Sequence, residues 1–202
     1  MTTCEFIFDF GSPNAYLSHK VLPALAERAG ITVDYVPALL GGIFKATNNV
    51  SPAVSLQGVK NKPEYGRLET ARFIAKHGIT DYQFNPDFPV NTLQIMRGAT
   101  AAKIDGFFAD YVDAVFHHMW EAPKKMDDPD VIAAALTDSG LDAAHIAKRI
   151  QDADVKQQLI RTTEDAVERG VFGSPTFFVG SEIFFGKDKL RDVEEEIENQ
   201  RA

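Results

Sequence analysis

The stretch Phe8-Asp9-Phe10-Gly11-Ser12-Pro13-Asn14-Ala15 holds the first residue whose type and position suggest chemistry. An apolar run ends there, a helical pattern begins, and the residue at the break is a hydroxyl, Ser12. Serine is a preferred helix cap, because its oxygen accepts from an unpaired amide of the first turn. The same oxygen would stand where a helix N-terminus gathers free N–H donors and partial positive charge, so it could also help to hold an anion. The two roles are compatible. Other reactive residue types are sparse. A single cysteine, Cys4, cannot form an internal disulfide or a cysteine-rich metal site, and it reads as a small packed residue of the first strand. His117 and His118 are adjacent in a helical pattern, so they point about 100° apart, which is wrong for joint metal binding. No metal centre is expected.

The elements that must position Ser12 follow from the apolar pattern. Glu5 to Phe10 is rich in aromatic and β-branched residues and reads as a strand. Tyr16, Leu17, Val21, Leu22 and Leu25 then recur at helical spacing, with Pro13 suited to the first turn and Gly30 to the stop. Ile31 to Leu40 alternates as a second strand. From Lys62 to about Asp154 almost every segment reads as helix, including an Asp-Pro start at Asp128-Pro129. Two apolar runs around Gly180-Ser181 read as a β-hairpin, and a last helix runs from Lys187 to about Asn199.

The economical assembly is an α/β protein in which a β-α-β half and a β-β-α half form one sheet. That is a thioredoxin-like fold with a large all-helical insertion. Residues 1–40 and 153–202 would form the thioredoxin-like domain and residues 41–152 the inserted helical subdomain. Thioredoxin-like proteins place a cis-proline ahead of the hairpin and beside the helix start, and the likeness implies that role for Pro175 in Gly-Ser-Pro-Thr, where taken alone an ordinary trans-proline would begin the strand. X-Pro bonds alone adopt cis cheaply.

Composition limits the classes of partner. With 202 residues, 45% hydrophobic and 25% charged, the chain can bury a real core. A formal net charge of −8 argues against general affinity for nucleic acid or anionic membranes, so an anionic ligand needs a local basic patch. No run approaches the roughly 18 apolar residues of a membrane span, and no basic leader precedes Cys4. A cytoplasmic address is the simplest expectation.

Beyond these readings, the segments "FDFGSPNAYL", "LLGGIFKATNN", "FPVNTLQIMRG", "YVDAVFHHMW" and "GVFGSPTFFVGSEIFFGKDKL" resemble, in this order along nearly the whole chain, the 2-hydroxychromene-2-carboxylate isomerases. These are related to the kappa-class glutathione transferases and, more distantly, to the DsbA-like oxidoreductases. The resemblance places "SPNA" where the oxidoreductases carry Cys-x-x-Cys, so Ser12 and Ala15 leave no redox pair. It implies glutathione as the external thiol, with its sulfur near Ser12 as the catalytic hydroxyl. It further implies that Ser174 and Pro175 pair through the Ser174 backbone with the cysteinyl amide. In Phe185-Gly186-Lys187-Asp188, the Asp188 carboxylate would hold the γ-glutamyl ammonium, although an acidic residue in a first helical turn needs no ligand to explain it.

Lys45 and Asn49, with Lys60 and Lys62 beyond, would supply cations and amides for carboxylates, while Lys60 or Lys62 taken singly better suits a solvated surface. Phe88 falls near the substrate ring in the family and equally suits the core. The activity implied is glutathione-dependent interconversion of 2-hydroxychromene-2-carboxylate and trans-o-hydroxybenzylidenepyruvate. The thiolate would add to a conjugated double bond, allow rotation and leave. The small aromatic carboxylate would be the only partner class besides a second copy in a homodimer. A kappa-like transferase or peroxidase, or a non-catalytic glutathione-binding module, are the alternatives.

Overall fold

The computed structural model describes residues 3–56 and 58–201. Strands β1 (Cys4–Phe8), β2 (Val33–Pro37), β3 (Thr176–Val179) and β4 (Glu182–Phe185) form one sheet in the order β2-β1-β3-β4. β1 runs parallel to β2, which it reaches through helix α1 (Pro13–Ala29), and antiparallel to β3, with Cys4 opposite Val179 and Ile7 opposite Thr176. The four-stranded sheet and the connecting helix are those of the expected thioredoxin-like fold.

Side-chain alternation along the strands sorts residues onto two faces. Cys4, Phe6, Phe8, Phe177 and Val179 join the large core that also holds Tyr16, Leu17 and Leu25 of α1. Ile7 and Phe178 point the other way, into a smaller cluster with Ala166 and Val171. The large core does not stop at the sheet. Helices α5 (Leu93–Asp105), α6 (Phe108–Trp120), α7 (Pro129–Asp138) and α8 (Ala143–Arg149) are bound to it, with Phe116 lying 5.7 Å from Phe8 and 4.8 Å from Phe10 between ring centroids. α5 and α6 approach so closely that a Cβ at Gly98 would collide with the Tyr111 hydroxyl, which donates to Ile95 O at 3.0 Å.

Some boundaries differ from the sequence reading. β1 ends at Phe8 rather than Phe10, because the Ser12 N–H turns back to Asp9 O at 3.1 Å and closes a loop. A short helix, α2 (Leu40–Ala46), follows β2 directly, and α3 (Pro52–Ser55) and α4 (Lys62–His77) come after it. The second half is α-β-β-α: α9 (Ala153–Glu168) precedes β3, and a 3-10 turn over Lys187–Lys189 precedes α10 (Leu190–Asn199). α9 is mostly polar, and only a stripe with Val155, Leu159, Thr163 and Ala166 is buried, which is why its pattern is weak in sequence. Among the described residues no helix is long and apolar enough to cross a membrane.

Candidate active site

The start of α1 is built around the Ser12 hydroxyl. Ser12 has the extended backbone of an N-cap, and its Oγ accepts from the Ala15 N–H at 3.2 Å. The same hydroxyl donates to the Ser174 carbonyl at 2.9 Å. Cap and site are therefore one group, with its acceptor side turned to the helix and its proton turned to the bend before β3. Ser174-Pro175 is cis, as expected, and lies against the start of α1. Of the groups expected to pair with a peptide-like ligand, the Ser174 carbonyl already takes the Ser12 proton, whereas its N–H has no acceptor among the described residues. Phe88-Pro89 is also cis.

Asp9 is the functional-site residue that sequence reasoning missed. It is fully buried, and its carboxylate joins three segments: Oδ1 accepts from the Gly11 N–H at 2.8 Å, and Oδ2 from the Leu40 N–H at 2.7 Å and the Thr92 hydroxyl at 3.0 Å. Its own N–H donates to Ser174 Oγ at 3.1 Å. Burial pushes the Asp9 carboxyl above its ordinary range, against the lowering effect of those three donors. Asp9 thus fixes the starts of α1, α2 and α5 and the Ser174 bend relative to one another. A carboxylate between Phe8 and Phe10, three residues before a helix cap, is the signal that could have found it.

A second group is tied to the same bend through the sheet. The Gly186 N–H donates to Pro175 O at 2.9 Å, and Gly186 adopts φ 97°, a region that favours glycine. Phe185, partly exposed, lies tilted against Phe172 with ring centroids 4.5 Å apart. The Asp188 carboxylate, expected to hold a ligand ammonium, already pairs with a protein cation. Its Oδ1 lies 2.6 Å from Lys187 Nζ. The reason is the burial of Lys187, whose side chain is 5% exposed against 70% for Asp188, with the ammonium over the Phe73 ring at 4.8 Å. A buried ammonium needs a counter-charge, and the exposed carboxylate next to it supplies one. The second Asp188 oxygen has no partner among the described residues.

The structure distributes the remaining expected residues unevenly. Lys45 lines a cavity between α2, α5 and α9. Asn49 is engaged at both ends, donating to Phe172 O at 2.9 Å and accepting from the Val50 N–H at 2.8 Å, so its amide braces the loop behind the Ser174 bend. Phe88 is half-buried against the core, 6.1 Å from Trp120, whose indole N–H donates to Phe10 O at 2.8 Å. Lys62 stands exposed at the first turn of α4 and is not brought to these groups by any bond among the described residues. Cys4 is buried in β1 with its thiol pushed up to about 12 by burial and by Glu5, so it is inert. His117 bonds Glu121 and His118 bonds Ser139.

A cis-proline loop facing the N-terminus of a helix, with serine and alanine where a redox pair would stand, defines a thioredoxin-like protein without redox cysteines. Residues 3–198 match the family described as "DSBA-like thioredoxin domain". The chain belongs to that family and, within it, to the 2-hydroxychromene-2-carboxylate isomerase family. It is 30% identical to a 2-hydroxychromene-2-carboxylate isomerase of Pseudomonas putida, over 92% of this chain and 89% of that protein. It is 29% identical to the enzyme of the same name from Sphingobium xenophagum, over 95% and 96%. A solved 2-hydroxychromene-2-carboxylate isomerase superposes with a TM-score of 0.83 at 28% identity, over 98% of this chain and 95% of that one. Human Glutathione S-transferase kappa 1 is 24% identical over 93% and 87%. Its relatives are thus isomerases and glutathione transferases.

Proposed function

We propose that this protein is a glutathione-dependent isomerase that interconverts 2-hydroxychromene-2-carboxylate and trans-o-hydroxybenzylidenepyruvate in aromatic catabolism, acting as a cytoplasmic homodimer. The observation that carries the reading is the Ser12 hydroxyl at the N-terminus of a 17-residue helix, shared with the Ser174 carbonyl and with no protein thiol beside it. The residues fit a bound thiol tripeptide. Ser12 offers a proton that can be re-aimed, the first turn of α1 offers the Asn14 N–H, and the Ser174 N–H and the second Asp188 oxygen have no protein partner among the described residues. When bound, glutathione would supply the sulfur nucleophile that adds reversibly to the conjugated double bond.

The chain's own part is to position and to stabilise charge. Ser12 turns its O–H from Ser174 O toward the anion, and the helix N-terminus adds its partial positive charge. The freed Ser174 carbonyl then becomes available to the ligand's backbone N–H. Asp188 binds the ammonium, shared with Lys187. Phe185, paired across the sheet with Thr176, presents aromatic surface beside the bend, and Phe88 would face the substrate ring. A kappa-like transferase is the second reading, favoured by the kappa-class relatives, since the same groups would serve a different electrophile.

The test mixes purified protein with 2-hydroxychromene-2-carboxylate and a panel of other electrophiles, with and without glutathione. Turnover that requires glutathione without consuming it supports the isomerase. Accumulation of a conjugate supports the transferase, and absence of glutathione binding removes both.

A further inference from the structure

The cavity that contains Lys45 has a charge pattern that the reading above does not use. It measures about 480 Å³, within the range of small-ligand pockets, and is walled by Leu39, Leu93, Leu159, Ile160 and Val167. One face of α9 supplies Lys156, Leu159, Ile160, Thr163, Glu164 and Val167, at the helical spacing that puts them on a common side. Thr163 is already satisfied, accepting from the Leu39 N–H at 3.0 Å and donating to Leu159 O at 2.7 Å, so the wall between the charges is effectively apolar. Ile160 stands open at 54% exposure.

Three cations rim this apolar space: Lys45, Arg97 and Lys156. None has a carboxylate partner among the described residues, although most other arginines of the chain are paired. Glu164 is the single carboxylate in the lining, and it lies eight residues, or about 12 Å of helix rise, from Lys156. The cavity therefore carries excess positive charge in a chain of net charge −8. Apolar walls with unpaired cations at the rim suit a flat or aliphatic body bearing one carboxylate. The cavity is also tied to the start of α1. Its wall residues Leu39 and Leu93 adjoin Leu40 and Thr92, which both donate to Asp9 Oδ2, while Asp9 Oδ1 holds Gly11 beside Ser12.

We propose that Arg97 and Lys156 hold the carboxylate of an aromatic monocarboxylate whose ring lies against Leu93, Leu159 and Ile160. As the anchoring site of the substrate this rests on the isomerase reading, but as a binding site it does not. The probe is 1-naphthoate, titrated calorimetrically into the wild-type protein without glutathione, beside the neutral 1-naphthamide. Naphthoate should bind more tightly than naphthamide, and Arg97→Gln and Lys156→Gln should each weaken naphthoate at least about fivefold while leaving naphthamide unchanged. Ile160→Glu, at an exposed position, should weaken naphthoate by a similar factor or more without lowering the melting temperature.

Undetectable naphthoate binding, binding unchanged in both cation variants, or equal loss of the neutral probe would overturn the site. Glutathione-dependent turnover is scored separately. A raised KM with kcat retained in Arg97→Gln and Lys156→Gln places the substrate here, whereas unchanged KM in both overturns that placement. Weakened naphthoate binding in a protein that shows no turnover leaves the site standing and sinks only the isomerase reading.

Discussion

Replacing Ser12 by alanine removes one oxygen that makes two bonds, and the two can be separated by their consequences. Without ligand, the variant loses the cap on Ala15 N–H, about 1 kcal/mol, and the bond to Ser174 O, about 0.5–1.5 kcal/mol. For a chain of this length 1 kcal/mol corresponds to roughly 2–4 °C, so the melting temperature should fall by about 3–10 °C. With glutathione bound, the hydroxyl favours thiolate over thiol only by the difference between two bonds. A bond to a charged acceptor contributes about 1.5–3 kcal/mol, from which the forfeited bond to Ser174 O must be subtracted. The remainder spans about 0–2.5 kcal/mol, and its middle, about 1.3 kcal/mol, corresponds to a rise of about one unit in the pKa of the bound thiol on Ser12→Ala. Turnover at neutral pH should then fall about tenfold and recover in part as the pH is raised. The assay is the ultraviolet thiolate absorbance of bound glutathione against pH, in wild type and variant, alongside the rate. Superimposable titrations with undiminished turnover would refute the reasoning and leave Ser12 as a cap and a latch to Ser174.

Three further outcomes are expected. Asp9→Asn removes a carboxylate close to the anion site while retaining one acceptor oxygen for Leu40 and Thr92, so the bound-thiol pKa should move down, opposite in sign to Ser12→Ala; a rise in the titration would refute it. Hydrogen bonds from His117, Lys20 and Tyr16 outweigh burial and hold Glu121 at about 2, below its ordinary 4.5. Its contribution is therefore present above about pH 4.5 and fades as the pH falls toward 2, and urea unfolding of wild type and Glu121→Gln should converge across that window. Lys187→Met keeps the packing against Phe73 and removes a buried ammonium whose partner is exposed, so unliganded stability should stay within about 1 kcal/mol or rise, and a loss above about 3 kcal/mol in chemical denaturation would show the pair to be structural.

The elements at the two ends of the chain were legible because their patterns are short-range. The aromatic and β-branched run after Cys4, the Ser-Pro start and Gly30 stop of α1, and the apolar runs around Gly180 all report local geometry. α9 was not legible, since its stripe holds one threonine and its outer face is charged. Ser12, Ser174 and Pro175 do come together at a cis bond as expected, and Gly186 joins them, through bonds that link residues more than 160 positions apart in sequence or adjacent across the sheet. What no local pattern contains is pairing between distant polar groups. Asp9 reads as an ordinary acid until Leu40 and Thr92 are seen to donate to it, and the Lys187-Asp188 pair depends on the burial that Phe73 of α4 imposes. Lys45, Arg97 and Lys156 lie in three different helices, so no spacing in the chain could unite them.

The same distinction between local and global bears on how an acidic chain could host an anion. A net charge of −8 is spread over the whole surface, and at physiological ionic strength charges more than about 8 Å apart are largely screened from one another. The groups within that range of the α1 start and the adjoining cavity decide the local potential. At the α1 start the helix N-terminus and the Ser12 proton stand against one buried carboxylate, Asp9, and in the cavity three cations without a carboxylate partner among the described residues stand against the rim carboxylate Glu164. Asp9 is itself wrapped by three donors, which draw its charge toward the backbone it organises rather than leave it facing a ligand. An anion at the start of α1 would therefore meet the helix N-terminus and the Ser12 proton rather than the charge of the whole protein. Because Cys4 is buried in β1 with its thiol held in the protonated form, a thiolate in that field has to be brought by a ligand.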